Sequence, residues 1–264
     1  MPLLSEHQSR EFTKLLVTGD SKSGKTGALA SLVAAGFKLR ILDYDNGLDI
    51  LKQCVNRTCP KQIGNVEFRT LRDKRKATQI GFEIPGGPKA FIEGIKMLDR
   101  WKYEDVDLGV PAEWGGDCIL ILDSLTFFSD AAFDYREALM PRGSGGKYDV
   151  RAVYKDAQDA VENTLALLTG ETFRTNVIVI SHAKYQENPD GTTKGYPVSV
   201  GSALSPAIPR YFNNYVRFVT KGGKRKIETV TTAMFDLANA RPFDMEKEFD
   251  VEKGMAEIFK QLRK

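Results

Sequence analysis

The sequence predicts an α/β fold in which a mainly parallel central sheet is flanked by helices, and three observations predict it. Short apolar runs that read as buried strands recur along the chain. Segments with helical spacing separate them. The first strand ends in a glycine-rich loop that opens directly into a helix. Strands that alternate with helices imply parallel pairing through helical crossovers.

Residues 14–18 (KLLVT) form the first apolar run, closed by Gly19. Residues 25–35, rich in Ala and Leu, read as a helix stopped by Gly36. A second strand is expected at 39–42, a short helix at 48–54 and a third strand at 66–71. Residues 80–84 fit a strand halted by Pro85, Gly86 and Gly87. Helical spacing through Phe91, Ile92, Ile95, Met97 and Leu98 marks 89–101. Residues 102–117 read as an acidic, glycine-bearing loop around Trp114. The run 118–122 is a buried strand, 148–169 a long helix and 176–180 (NVIVI) another buried strand. Two β-prone runs, 215–220 and 226–232, flank Gly222 and Gly223 and predict a C-terminal β-hairpin. Residues 246–262 read as a terminal helix. The organisation is one domain over 1–264, with an extension at 1–12, a core at 13–243 and a helical tail at 244–264.

At 264 residues, 42% hydrophobic and 28% charged, the chain has the balance of an ordinary globular protein. No apolar run reaches the roughly 18 residues that span a bilayer, so no membrane partner is expected. The polar start lacks the apolar stretch of a secretory signal. A net charge of +3 lies too near zero to predict nucleic-acid binding by itself. Basic clusters at 69–76 and 221–226 read as solvated faces or binding sites. Cys54, Cys59 and Cys118 lack zinc-site spacing and read as reduced thiols of a cytoplasmic protein.

Gly19, Asp20, Ser21, Lys22, Ser23, Gly24, Lys25 and Thr26 match G-x-x-x-x-G-K-[ST] without a gap, after a strand and before a helix. The chemistry requires this order. Glycines let the backbone curl around one anion, and a helix start adds partial positive charge beneath it. Lys25 is expected to reach the β- and γ-phosphates, and the Thr26 hydroxyl to ligate Mg²⁺. Gly27 completes the expected ATP-binding set. Lys22 is a further cation that contacts phosphate or faces solvent.

Ligands in open α/β sheets bind at the carboxyl ends of strands. Asp123 ends the run Cys118-Ile-Leu-Ile-Leu and either holds the water shell of Mg²⁺ or caps the following helix with Ser124. Asp43 and Asp45 follow the second strand. One of them orients the attacking water, or both serve a turn. His182 stands at another strand end, as a γ-phosphate sensor or as a core histidine.

In this order the segments GDSKSGKT (19–26), ILDYDNGLD (41–49), ILILDS (119–124) and VIVISH (177–182) resemble the RecA-like branch of P-loop ATPases. The resemblance implies a RecA-like core and Mg²⁺-dependent ATP hydrolysis. It places Asp45 where those proteins carry a catalytic carboxylate, usually Glu. Asp123 falls at the metal-binding end of the Walker B strand, and His182 at a position that reports nucleotide state. The stretches 195–213 and 238–242 resemble phage-encoded RecA-core ATPases of the single-strand annealing recombinase group. That likeness implies single-stranded DNA as a partner and DNA-stimulated turnover in recombination, by annealing or strand exchange. It also implies a homo-oligomeric filament or ring, a single-strand-binding protein as a further partner, and the cytoplasm of an infected bacterium as location.

Two loops would face the DNA, at 140–148 and 183–202. Their glycines, cations and aromatics suit a single strand. The candidates are Arg142, Lys147, Tyr148, Arg151, Lys184, Tyr185, Lys194 and Tyr196. Lys221, Lys224, Arg225, Lys226 and Arg241 are candidate cations for a neighbouring subunit's site, as such assemblies imply. Two other functions remain open: a nucleotide-dependent switch or assembly ATPase that binds a protein partner, and a hexameric RecA-core helicase motor or loader.

Overall fold

The computed structural model describes residues 11–79, 81–142, 148–188 and 190–263. Residues 1–10 of the expected extension, Ile80, the loop glycines Gly143, Gly145 and Gly146, the DNA candidate Lys147, Pro189 and the terminal Lys264 lie outside the described residues.

In chain order the first half comprises β1 (Lys14–Gly19), α1 (Lys25–Ala28), α2 (Ala30–Ala34), β2 (Lys38–Asp43), α3 (Asp49–Thr58), β3 (Val66–Thr70), β4 (Lys76–Thr78), β5 (Gly81–Glu83) and α4 (Ala90–Asp99). There follow β6 (Trp101–Tyr103), β7 (Val106–Gly109), β8 (Gly115–Asp123), α5 (Leu125–Leu139), α6 (Val150–Thr169) and β9 (Thr175–Glu187). The chain closes with β10 (Thr193–Pro197), β11 (Asn214–Lys221), β12 (Lys224–Glu228), β13 (Glu248–Asp250) and α7 (Val251–Leu262).

The main sheet runs β13-β12-β11-β1-β9-β8-β2-β3, with β10 added to β9. From β11 to β3 every pairing is parallel, and β12, β13 and β10 are antiparallel additions. This is the expected α/β fold with its C-terminal hairpin. Strand β9 lies between β1 and β8, so the phosphate loop and Asp123 leave strands that are not neighbours.

Period-two alternation splits the strands between two cores. Leu16, Leu120, Leu122, Val177 and Val179 face α4, α5 and α6. Leu15, Val17, Ile119, Ile121, Ile178 and Ile180 face α2, α3 and α7. Both sides are covered, which is why these strands read as continuous apolar runs. Full burial of each such side chain contributes about 1.5–3 kcal/mol. Register then aligns the chemistry at one edge: Gly19 stands opposite His182, and Asp43 opposite Asp123.

Four segments differ from expectation. Residues 102–117 are not one loop: β6 and β7 form a hairpin whose Trp101 packs edge-on against Trp114, with ring centroids 5.5 Å apart. The segment after His182 is not an open loop, since β9 continues to Glu187 and pairs with β10. The tail opens with β13 on β12 before its helix begins at Val251. The first helix is interrupted at Leu29. Among the described residues no helix is long and apolar enough to cross a membrane.

Candidate nucleotide site

The phosphate loop leaves β1 where β11 presses closest. A Cβ on Gly19 would sit 2.6 Å from the Phe218 carbonyl oxygen and 2.9 Å from Ser23 Oγ, so only glycine fits. Lys22 and Gly24 take φ values of 64° and 99° and curl the chain back. Ser23 Oγ is buried without a hydrogen-bond partner. An orphaned hydroxyl inside a left-handed glycine loop fits a phosphate oxygen.

Lys25 is buried, and its Nζ donates to the carbonyl oxygens of Gly19 and Asp20, both at 2.8 Å. Burial lowers its pKa, while the charges of Asp123, Asp45 and Asp20 pull it back up. Thr26 Oγ1 donates to Asp123 Oδ2 at 2.8 Å. Burial, aided by the negative charges of Asp45 and Asp43, pushes Asp123 up to about 7 against the Thr26 hydrogen bond and the Lys25 charge. Among the described residues no three His, Cys, Asp or Glu side chains converge as a metal cluster. The chain instead offers a hydroxyl–carboxylate pair, a donor set that suits a hard cation which keeps most of its waters.

The two aspartates at the end of β2 do different things. Asp43 is a turn residue in geometry: Oδ1 accepts from the Asn46 amide at 2.8 Å and Oδ2 from the Thr70 hydroxyl at 3.0 Å. Asp45 turns toward the site. Its Oδ1 accepts from the Ser124 hydroxyl, and its Oδ2 lies 3.9 Å from His182 Nε2. The Thr126 hydroxyl holds His182 from the other side, accepting from its backbone amide at 3.1 Å and lying 3.2 Å from Nδ1. Burial and the Lys25 charge lower the His182 pKa, with Asp45 opposing.

Lys25, Thr26, Asp45, Asp123 and His182 therefore share one edge of the sheet. Ser124 and Thr126 join them, and the sequence alone does not mark either as a site residue. Their signal is their place, one and three residues beyond Asp123, where a helix starts over the site.

The DNA candidates are scattered by comparison. Tyr185 donates to Asp20 Oδ1 at 2.9 Å and accepts from Arg217 Nη2 at 3.3 Å, which ties β9 to the phosphate loop. Lys194 is paired with Asp236 at 2.8 Å, and Tyr196 is half-buried. The Arg142 guanidinium lies over the Tyr148 ring at 5.4 Å, and the Tyr148 hydroxyl donates to Glu137. Lys184 and Arg151 are exposed. Among the tail cations, Lys221 pairs with Glu228 and Glu248, Lys226 with Asp250, and Arg241 with Asp244. Arg225 lies against its own chain's loop, its Cδ 3.2 Å from a Cβ placed on Gly24.

Among solved structures, the chain is similar to the RadB recombinase, with 17% identity over 92% of this chain and 90% of that one, at a TM-score of 0.48. It is also similar to a type III secretion ATPase of pathogenic bacteria, with 13% identity over 78% of this chain and 51% of that one, at a TM-score of 0.43. The secretion ATPase EscN of enteropathogenic E. coli gives 12% identity over 80% of this chain and 44% of that one, also at 0.43. No curated protein matches the sequence. The family model AAA_24, an AAA domain, matches residues 11–239. That match takes in every strand that carries a candidate site residue, and the chain belongs to this AAA domain family.

Proposed function

We propose that the protein binds ATP with Mg²⁺ on residues 19–27, hydrolyses it, and couples turnover to single-stranded DNA in recombination as a homo-oligomer. The observation that carries the reading is the meeting of Lys25, Thr26, Asp45, Asp123 and His182 at one sheet edge. Lys25 neutralises phosphate charge in a buried setting, where a charge acts strongly. Thr26 and Asp123 would hold the Mg²⁺, which when bound neutralises the charge of the phosphate oxygens. Asp45, braced by Ser124, accepts a proton from the attacking water. His182, held by Thr126, reads the state of Asp45 and passes it into β9.

DNA enters through the basic and aromatic residues around α5 and β9, with Arg142, Tyr148, Arg151 and Lys184 as its described candidates. ATP hydrolysis measured with and without single-stranded DNA at low salt tests this. A rate indifferent to DNA, with no gel shift, removes the DNA half of the proposal and leaves the ATPase half standing. One observation favours a switch acting on a protein partner: Tyr185 and Lys194 are engaged within the chain and are not free for a strand. A chain that binds ATP, ignores DNA and changes its oligomeric state with nucleotide would fit that reading.

A further inference from the structure

Arg72 lies just past β3 and is exposed, in a basic run that reads from sequence as a solvated face or a binding site. Its Nη1 donates to the backbone carbonyl of Asp45 at 3.1 Å. Its guanidinium carbon stands 5.3 Å from the centre of the Phe127 ring. The same ring meets His182 edge-on, with centroids 6.0 Å apart. One side chain therefore touches the main chain of Asp45 and the aromatic wall behind His182. The neighbouring residues fix where it starts: the Leu71 amide donates to the Asp43 carbonyl at 2.8 Å, and Thr70 holds the Asp43 carboxylate.

We propose that Arg72 is a positioning residue for ATP hydrolysis, bracing the Asp45 loop against Phe127 so that the Asp45 carboxylate stays beside His182. The inference rests on the assignment of Asp45 to hydrolysis made above. A planar guanidinium suits the task, because it donates in its plane while its face lies on the ring. An ammonium group makes one of these contacts well but not both. Asn46 follows Asp45 at a φ of 54°, a left-handed turn conformation that asparagine tolerates.

Steady-state ATP hydrolysis and binding of a fluorescent ATP analogue, measured on the full chain, test the idea with R72A, R72K, D45N and R72A/D45N. For R72A we expect kcat about tenfold lower, with KM and analogue affinity within about twofold of wild type. R72K should recover part of that loss. The double variant should turn over no more slowly than D45N alone, because both changes act through one carboxylate. Wild-type kcat in R72A overturns the proposal, as do losses that multiply in the double variant. A fall in analogue affinity alongside kcat also overturns it, since that marks a general structural role. If D45N itself hydrolyses ATP at the wild-type rate, the assignment of Asp45 has failed. A slow D45N beside a normal R72A rejects Arg72 alone.

Discussion

Thr26 Oγ1 and Asp123 Oδ2 stand 2.8 Å apart across 97 positions of sequence. They meet because β1 and β8 flank β9 in register, and because α1 starts directly over the carboxyl ends of these strands. Asp123 is buried, only 2% exposed, and Thr26 is half-buried. A buried carboxylate next to a second acid resists ionisation, and this is why Asp123 is pushed up to about 7.

That shift predicts a pH dependence with a definite sign. Mg²⁺ needs the ionised carboxylate, so Mg²⁺-dependent nucleotide affinity should weaken as pH falls through about 7. Stability of the nucleotide-free protein should run the other way. The folded pKa lies above the usual 3.8, so this group's contribution is full below that value and is lost as pH rises through about 7. Differential scanning fluorimetry from pH 5 to 8 should show a falling Tm that flattens in Asp123→Asn. An unchanged slope in that variant would assign the titration to another group.

Asp45→Asn should lower kcat by about 10²–10⁴ while leaving ATP affinity within a few-fold. The negative charge of Asp45 also helps to raise the Asp123 pKa. The midpoint of the Mg²⁺-binding pH profile should therefore move down in the same variant. Isothermal titration at several pH values measures both effects, and retention of full turnover would reduce Asp45 to a turn residue.

Lys25→Ala should abolish hydrolysis and weaken ATP binding, because a buried ammonium group at the phosphates acts in a low-dielectric setting. The change also removes two hydrogen bonds to the loop carbonyls of Gly19 and Asp20, at a cost of about 1–3 kcal/mol. Calorimetric titration with ATP separates lost affinity from lost turnover. Normal turnover would remove residues 19–26 from the site.

Much of this site was legible because its signals are local. The loop carries its glycines and lysine in one run, and Asp123 follows a five-residue apolar run, 118–122. Both faces of the central strands are covered, so their apolar runs stood out. What stayed hidden depends on distant partners. Residues 183–187 are polar and mostly exposed, and they become strand only because β10 pairs with them. The β6–β7 hairpin is short and acidic, and it is fastened by Trp101 against Trp114 rather than by alternation. The second bond on the Asp43 carboxylate comes from Thr70, which is 27 positions away. Arg72 reaches the site through a backbone carbonyl and a ring face, and neither leaves a spacing in the sequence.

His182→Ala should separate basal from stimulated turnover. The ring is held by Thr126 and faces Asp45 at 3.9 Å, a place from which it would sense the hydrolytic side under the proposed function. Basal kcat should fall by less than about fivefold, while any stimulation by single-stranded DNA is lost. Equal loss in both conditions would place His182 in the chemical step itself.

Tyr185 distinguishes a DNA contact from a strut. Its hydroxyl bonds Asp20 in the phosphate loop and Arg217 on β11, and its ring lies edge-on to Phe235 at 5.9 Å. Tyr185→Phe keeps a ring for base stacking but removes both hydrogen bonds, whereas Tyr185→Ala removes everything. If the residue stacks on bases, the Phe variant binds single-stranded DNA as wild type does and the Ala variant loses about 1–3 kcal/mol. If it is a strut, both variants alter KM for ATP by a similar factor and leave DNA affinity unchanged, because Asp20 is released in each. The hydrogen bonds favour the strut: a tyrosine that donates to a carboxylate and accepts from a guanidinium is held at both ends of its hydroxyl. Fluorescence anisotropy with labelled oligonucleotide, run beside ATP kinetics, decides between them.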